Sequence, residues 1–147
     1  MTQKKTGVVL ITVDGSSHSD RAVKHAIRLF HDSHKTLQLH VINVQYPISY
    51  GEISVYVAGA DVKRFAREAG QRLLSSARKL LERANVPYVP HVAIGAIAET
   101  IVRFARNKRC DAIVMGTRGL GSVASLVLGS VATKVIHLTN LPVTLIK

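Results

Sequence analysis

Between Ile113 and Ile136 the chain reads IVMGTRGLGSVASLVLGSVATKVI, an apolar run at each end with Gly116, Gly119, Gly121, Gly129 and the hydroxyls of Thr117, Ser122, Ser125 and Ser130 between. Glycine at the end of a strand allows backbone conformations that other residues avoid and lets a ligand touch the main chain. Gly116 and Gly119 flank Arg118 in this way, and Gly129-Ser130 open the next helical pattern. A helix start has free N–H groups and a partial positive charge, so it favours anions such as phosphate. Ser130 adds a hydroxyl donor there, its ordinary role being a helix N-cap. A second chemically suggestive place is Asp14-Gly15, directly after the first apolar run. Its carboxylate could accept bonds from ribose hydroxyls, or make a plain Asp-Gly turn. Gathered in one crevice, these residue types suggest a nucleotide.

The elements that would gather them follow from periodicity. GVVLITV (7–13) and CDAIVMG (110–116) are continuous apolar runs of strand length, the mark of strands covered on both faces. TLQLHVINV (36–44), YVPHVAIG (88–95) and PVTLIK (142–147) complete five strands, and Pro90 points to an edge position for the third. Helical stripes lie between them: Val23, Ala26, Ile27 and Phe30; a long stripe from Val62 to Ala84 read as one helix; Ile97, Ile101, Phe104 and Ala105; and SVATKVIHLTN (130–140). The segment 45–60 has no convincing period and reads as a loop. Strands alternating with helices imply one α/β domain over residues 1–147, a doubly wound parallel sheet with helices on both faces. Ligands in such sheets bind outside the carboxyl ends of the strands, where the order reverses. If the first and fourth strands are neighbours, Asp14 and Gly116 face one crevice.

Other chemistries are excluded or weakened. There is no GxxxxGK[ST] P-loop, no GxGxxG after the first strand and no GxSxG nucleophile elbow. GTRG matches the GxxG loop of KH domains but follows a strand instead of joining helices. Seven histidines, with His31 and His34 at a helix end and His18 and His25 nearby, lack a cysteine cluster or HExxH, so no metal is assigned. His40 lies inside the second strand and reads as a packed core residue. No base stands beside a nucleophile, so no catalytic residue is assigned. Net charge is +11, with seven basic residues between Lys63 and Arg83 and four in RFARNKR (103–109). That pattern fits a solvated helix face better than a nucleic-acid surface, and the absence of Trp with only 5% aromatic residues argues against stacking platforms. No apolar run approaches the ~20 residues of a membrane helix. The basic start is read as leading into a strand, not as a signal peptide, and the single cysteine, Cys110, fits a reducing cytoplasm.

The spacing Gly116-x2-Gly119-x9-Gly129-Ser130 resembles the ATP-binding motif of the universal stress protein family, G-2x-G-9x-G-[S/T]. VDGSSHSDRAV, LQLHVINV and LGSVATKVIHLTNLPVTLIK resemble that family's first strand and turn, second strand and C-terminal signature. The resemblance implies a five-stranded sheet of order 3-2-1-4-5, of the adenine nucleotide alpha hydrolase-like kind. Adenine would sit near the end of the second strand and triphosphate on the glycine-rich loop. Asp14 would hold ribose, the Val41 backbone the adenine edge, and Gly116 the ribose and α-phosphate side. Gly119, Gly129 and Ser130 would cradle phosphates, with the Val131 N–H donating. Where the family commonly has Pro before the Asp, this chain has ITVDG. The implied ligand is ATP as a switch, with Mg²⁺ accompanying its phosphates through few protein groups. The alternatives are a slow ATPase at the same site and a basic interaction module for nucleic acid or an acidic protein. The apolar last strand, an edge in this order, is expected to pair with its copy in a homodimer through Val143 and Leu145.

Overall fold

The computed structural model describes residues 6–47, 59–121, 124–125 and 127–147. Most of the 45–60 loop and the Ser122 hydroxyl therefore lie outside the described residues. In chain order the elements are β1 (Gly7–Thr12), α1 (Ser17–Asp32), β2 (Leu37–Gln45), α2 (Gly59–Leu73), α3 (Ser75–Arg83), β3 (Val89–Ile94), α4 (Ile97–Asn107), β4 (Ala112–Gly116), α5 (Ser130–Leu138) and β5 (Val143–Ile146). The strands form one sheet of order β3-β2-β1-β4-β5, every adjacent pair parallel. β1 has β2 on one side and β4 on the other, which is the reversal that opens a crevice at the carboxyl ends.

Alternation along the strands divides the core in two. Val9, Ile11 and Val13 of β1 and its extension pack with Val41 and Val114 against Val23, Ala26 and Phe30 of α1, and against Leu74, Ala77 and Leu81. Leu10, Ile42 and Ile113 turn the other way, onto Ile101 and Ala105 of α4 and Val135 of α5. α1 begins cleanly because the Ser16 hydroxyl accepts from the Ser19 N–H at 3.2 Å.

The long stripe from Val62 to Ala84 is two helices, a correction to the single helix expected. The interruption falls at Leu74, fully buried between α2 and α3. The hydrogen bonds Leu74 N–H to Gly70 O and Arg78 N–H to Leu74 O, both 3.0 Å, carry the chain across the break. The two halves serve different partners: Gly70 of α2 lies against Val92 of β3, whereas Ser76 of α3 donates to Asp20 of α1 at 2.9 Å. Ser75 and Ser76, poor helix formers after the first turn, stand where the two directions meet.

Candidate functional site

β1 ends at a turn that only glycine suits: Gly15 has φ +84°, and a Cβ there would meet Leu73 Cδ2 at 2.8 Å. The turn leaves Asp14 pointing across the sheet, half-buried. Its Oδ1 accepts from the Ser16 N–H at 2.9 Å and its Oδ2 from the Leu120 N–H at 3.0 Å. The carboxylate therefore ties the end of β1 to the glycine-rich loop. Gly119 is forced by the same contact, since a Cβ there would strike Asp14 Oδ2. At Gly116 the neighbour is His18, whose Cβ would lie 2.7 Å from an added Cβ. Desolvation, then the cations Arg21 and Arg118, hold His18 below the ordinary histidine range against the opposing pull of Asp14.

Gly129 closes the loop. Its N–H donates to Thr117 O at 2.7 Å, and a Cβ would press on Thr117 O at 3.3 Å and Arg118 Cα at 3.4 Å. The N-cap of α5 is Gly129, not Ser130, which is the first helical residue. Gly129 has no side chain to cap this helix, and no capping side-chain hydrogen bond is found there among the described residues. The N–H groups of Ser130, Val131 and Ala132 thus have no intrahelical acceptor and open on the loop, with the positive end of the helix behind them.

Between these walls lies a cavity of about 500 Å³, within the ~300–1,000 Å³ typical of small-molecule sites. It gathers Asp14, Gly116, Gly119, Gly129, Ser130 and Val131, six of the seven positions singled out from the sequence. Val41 is the exception. It is buried at mid-strand, paired with Ile11 on one side and Pro90 on the other, and its side chain belongs to the α1–α3 core. The stretch that lines the cavity is Ile42 to Gln45 of β2 with Tyr46 just past its end.

Several lining residues carried no motif. Asn43 is buried, donates to Val13 O at 2.8 Å, and accepts from Gln45 Nε2 at 2.6 Å. An amide inside an otherwise apolar strand end is the signal that could have flagged it. Ile97 and Ile101 of α4 and Met115 of β4 form an apolar side, and nothing distinguishes them in sequence from ordinary core. Thr117 Oγ1 is buried at the cavity without a hydrogen-bond partner among the described residues. Arg118 folds its guanidinium onto Ala124 O at 3.1 Å. The cavity thus combines an apolar side at β2, α4 and β4 with a polar side of backbone N–H groups, hydroxyls, one cation and one carboxylate. No group of three or more His, Cys, Asp or Glu suited to a metal occurs among the described residues.

The profile of the Universal stress protein family matches residues 6–147. Universal stress protein MJ0531 of Methanocaldococcus jannaschii is 31% identical over 95% of this chain and 81% of its own. A universal stress protein solved in complex with cAMP superimposes with a TM-score of 0.69 at 24% identity, covering 98% of this chain and 99% of that one. The universal stress protein from Archaeoglobus fulgidus in complex with dAMP gives 0.68 at 22% identity, covering 97% and 98%. Both structures share the fold of this chain.

Proposed function

This chain belongs to the universal stress protein family, and from that premise we propose that its cavity binds an adenine nucleotide, with ATP as a switch ligand in stress response or signalling. The observation that carries this reading is the start of α5, without a side-chain cap among the described residues, facing a glycine-lined loop beside the Thr117 hydroxyl, which has no partner among those residues either. Backbone N–H groups with a helix dipole behind them suit phosphate. The apolar side formed by Ile42, Ile97, Ile101 and Met115 suits a base. Structural neighbours in complex with cAMP and dAMP support an adenine ligand. Asp14 keeps lone pairs for ribose hydroxyls beyond the two N–H groups it already holds. Ser130 and the Val131 N–H would hold phosphate, and Mg²⁺ would ride with ATP through waters.

We expect little or no turnover. Asp14 is the only carboxylate lining the cavity among the described residues. Each of its oxygens already accepts from one backbone N–H, and the lone pairs that remain are those assigned to ribose. That leaves no second carboxylate to activate a water, whereas phosphoryl transfer needs a positioned nucleophile as well as charge stabilisation. The reading also includes a cytoplasmic location and a homodimer through β5.

Titration calorimetry with ATP and AMP tests the site. A micromolar Kd, about −8 kcal/mol, is expected for the native chain. Gly129→Leu, folded by its thermal melt, should bind neither nucleotide, because its side chain presses on the Thr117–Arg118 backbone and forces the glycine-rich loop away from the start of α5. Equal affinity in the two proteins would overturn the assignment. Rapid phosphate release that disappears with Gly129→Leu would make the protein an ATPase instead.

A further inference from the structure

A close contact between two ionisable side chains lies in the core, away from the cavity. His40 of β2 and His91 of β3 point to the α4 side of the sheet, and His40 Nδ1 stands 2.8 Å from His91 Nε2. His40 is buried and His91 half-buried. Phe104 of α4 packs over both, its ring centroid 4.6 Å from that of His91 and 6.2 Å from that of His40. The neighbours across the sheet are apolar: Leu10 of β1 and Val89 of β3 flank His40, and Ile42 of β2 lies opposite His91. The charged group acting on both rings is Lys108, at the end of α4, its Nζ 5.9 Å from the Phe104 ring.

Proton counting shows what this pair can do. Two nitrogens at hydrogen-bond distance share one hydrogen, so one ring donates and the other accepts. A first added proton lands on an outward nitrogen of the donor ring and leaves the bond intact. A second must take the lone pair of the accepting nitrogen. Both facing nitrogens then carry hydrogen, the bond is lost, and two cations face each other beside Lys108. Burial, then Lys108, lowers the His40 affinity for protons; for His91 burial comes first, then His40, then Lys108. Folded-state midpoints lie below the unfolded value of about 6.5. The stability the pair contributes is present above that value and is lost as pH falls through the lowered midpoints.

We propose that His40–His91 is an acid-operated latch that holds edge strand β3 and the far end of α4 to the sheet, and whose opening loosens the cavity. The coupling runs along one helical stripe. Ile97 and Ile101 line the cavity, and Phe104 and Lys108 follow at i+3 and i+4 spacing over the histidines. Only this coupling rests on the nucleotide reading; the latch does not.

Amide hydrogen exchange, corrected for intrinsic rates, tests the latch at about pH 7.5 and about pH 5. In the native chain, protection in β3 and the C-terminal turn of α4 should fall at least about tenfold at the acid pH while β1 keeps its protection. The double variant His40→Asn/His91→Gln places amide groups where Nδ1 and Nε2 stand and cannot titrate, so its protection should be the same at both pH values. An undiminished native β3, or an equal loss in the variant, overturns the latch. Should the variant not fold, imidazole ¹⁵N shifts of the native chain decide. A two-step titration below the ordinary range supports the latch, and two independent ordinary titrations overturn it. AMP affinity should weaken several-fold at the acid pH in the native chain more than in the variant, and an equal change overturns the coupling. No AMP binding at either pH would refute the nucleotide reading while exchange still judges the latch.

Discussion

The two edges of this sheet are guarded in opposite ways. At β3, Pro90 removes one backbone donor. The Gly95 N–H, just past the strand, donates to Gln45 O of β2 at 2.9 Å. Alternation then sends the 91 and 93 N–H groups toward β2 and places position 90 on the outward side, so the proline blunts the free edge without breaking the ladder. Gly70 of α2 closes against one face and Phe104 of α4 against the other. At β5 no proline interrupts the strand, and Val143, Thr144, Leu145 and Ile146 are all half-buried. Two apolar side chains of adjacent α5, Ile136 and Leu138, are 39% and 42% exposed. One edge has been made unfit for further pairing, whereas the other resembles half of an interface.

The strongest way to break this contrast is to pry open the β3 side. A Cβ at Gly70 would lie 2.5 Å from Val92 Cγ1 and 3.1 Å from Asn43 Oδ1. Gly70→Val should cost about 1–3 kcal/mol by overpacking and lower Tm by roughly 3–10 °C in a thermal scan. An unchanged Tm would mean that α2 does not clamp this edge. Next comes the β5 side. Sedimentation should find a dimer that Val143→Asp/Leu145→Asp converts to a monomer with its circular dichroism retained. A native chain sedimenting as a 16.0 kDa monomer at micromolar concentration would remove the distinction between the edges. The smallest effect belongs to Pro90→Val. Restoring an outward donor should change stability by less than about 1 kcal/mol, yet produce higher oligomers at raised concentration. Unaltered sedimentation would show that the proline is not what blunts β3.

Much of this was legible before any coordinates. The first and fourth strands announce themselves because a strand covered on both faces reads as a near-continuous apolar run, as VVLI (8–11) and AIVM (112–115) do. The edge placement of β3 follows from Pro90 alone. The sequence reads the glycines as a ligand loop, and the structure gives part of that signal a plain packing cause: Gly116 makes room for His18 and Gly119 for Asp14. The break at Leu74 was hidden because Val62 to Ala84 keeps one unbroken stripe, and what divides it is that α2 and α3 pack on different partners. The apolar side of the cavity was hidden for a similar reason, since Ile97 and Ile101 occupy ordinary core positions of an amphipathic helix. His40 reads as core from its strand, but its partner His91 is 51 residues away, and only the β2–β3 register brings them together.

The adjacency of β1 and β4 has a temporal side. β1 can pair with β2, which begins at Leu37, early in synthesis, while its other neighbour begins only at Ala112. Until then the nascent chain carries a bare, apolar, β-branched edge of the kind that invites misassembly. Asp111 finishes the join: its carboxylate accepts from the Val8 N–H at 2.8 Å, and its own N–H donates to Val8 O at 2.7 Å. The cavity straddles that seam, with Asp14 on the early side and the glycine loop on the late side, so it is among the last features the chain completes. A ligand gripping both sides binds only the closed form and adds about 2.7 kcal/mol at a hundred times its Kd. On the nucleotide reading proposed above, for molecules emerging from the ribosome or reclosing after heat, the nucleotide would shift the balance toward the closed form.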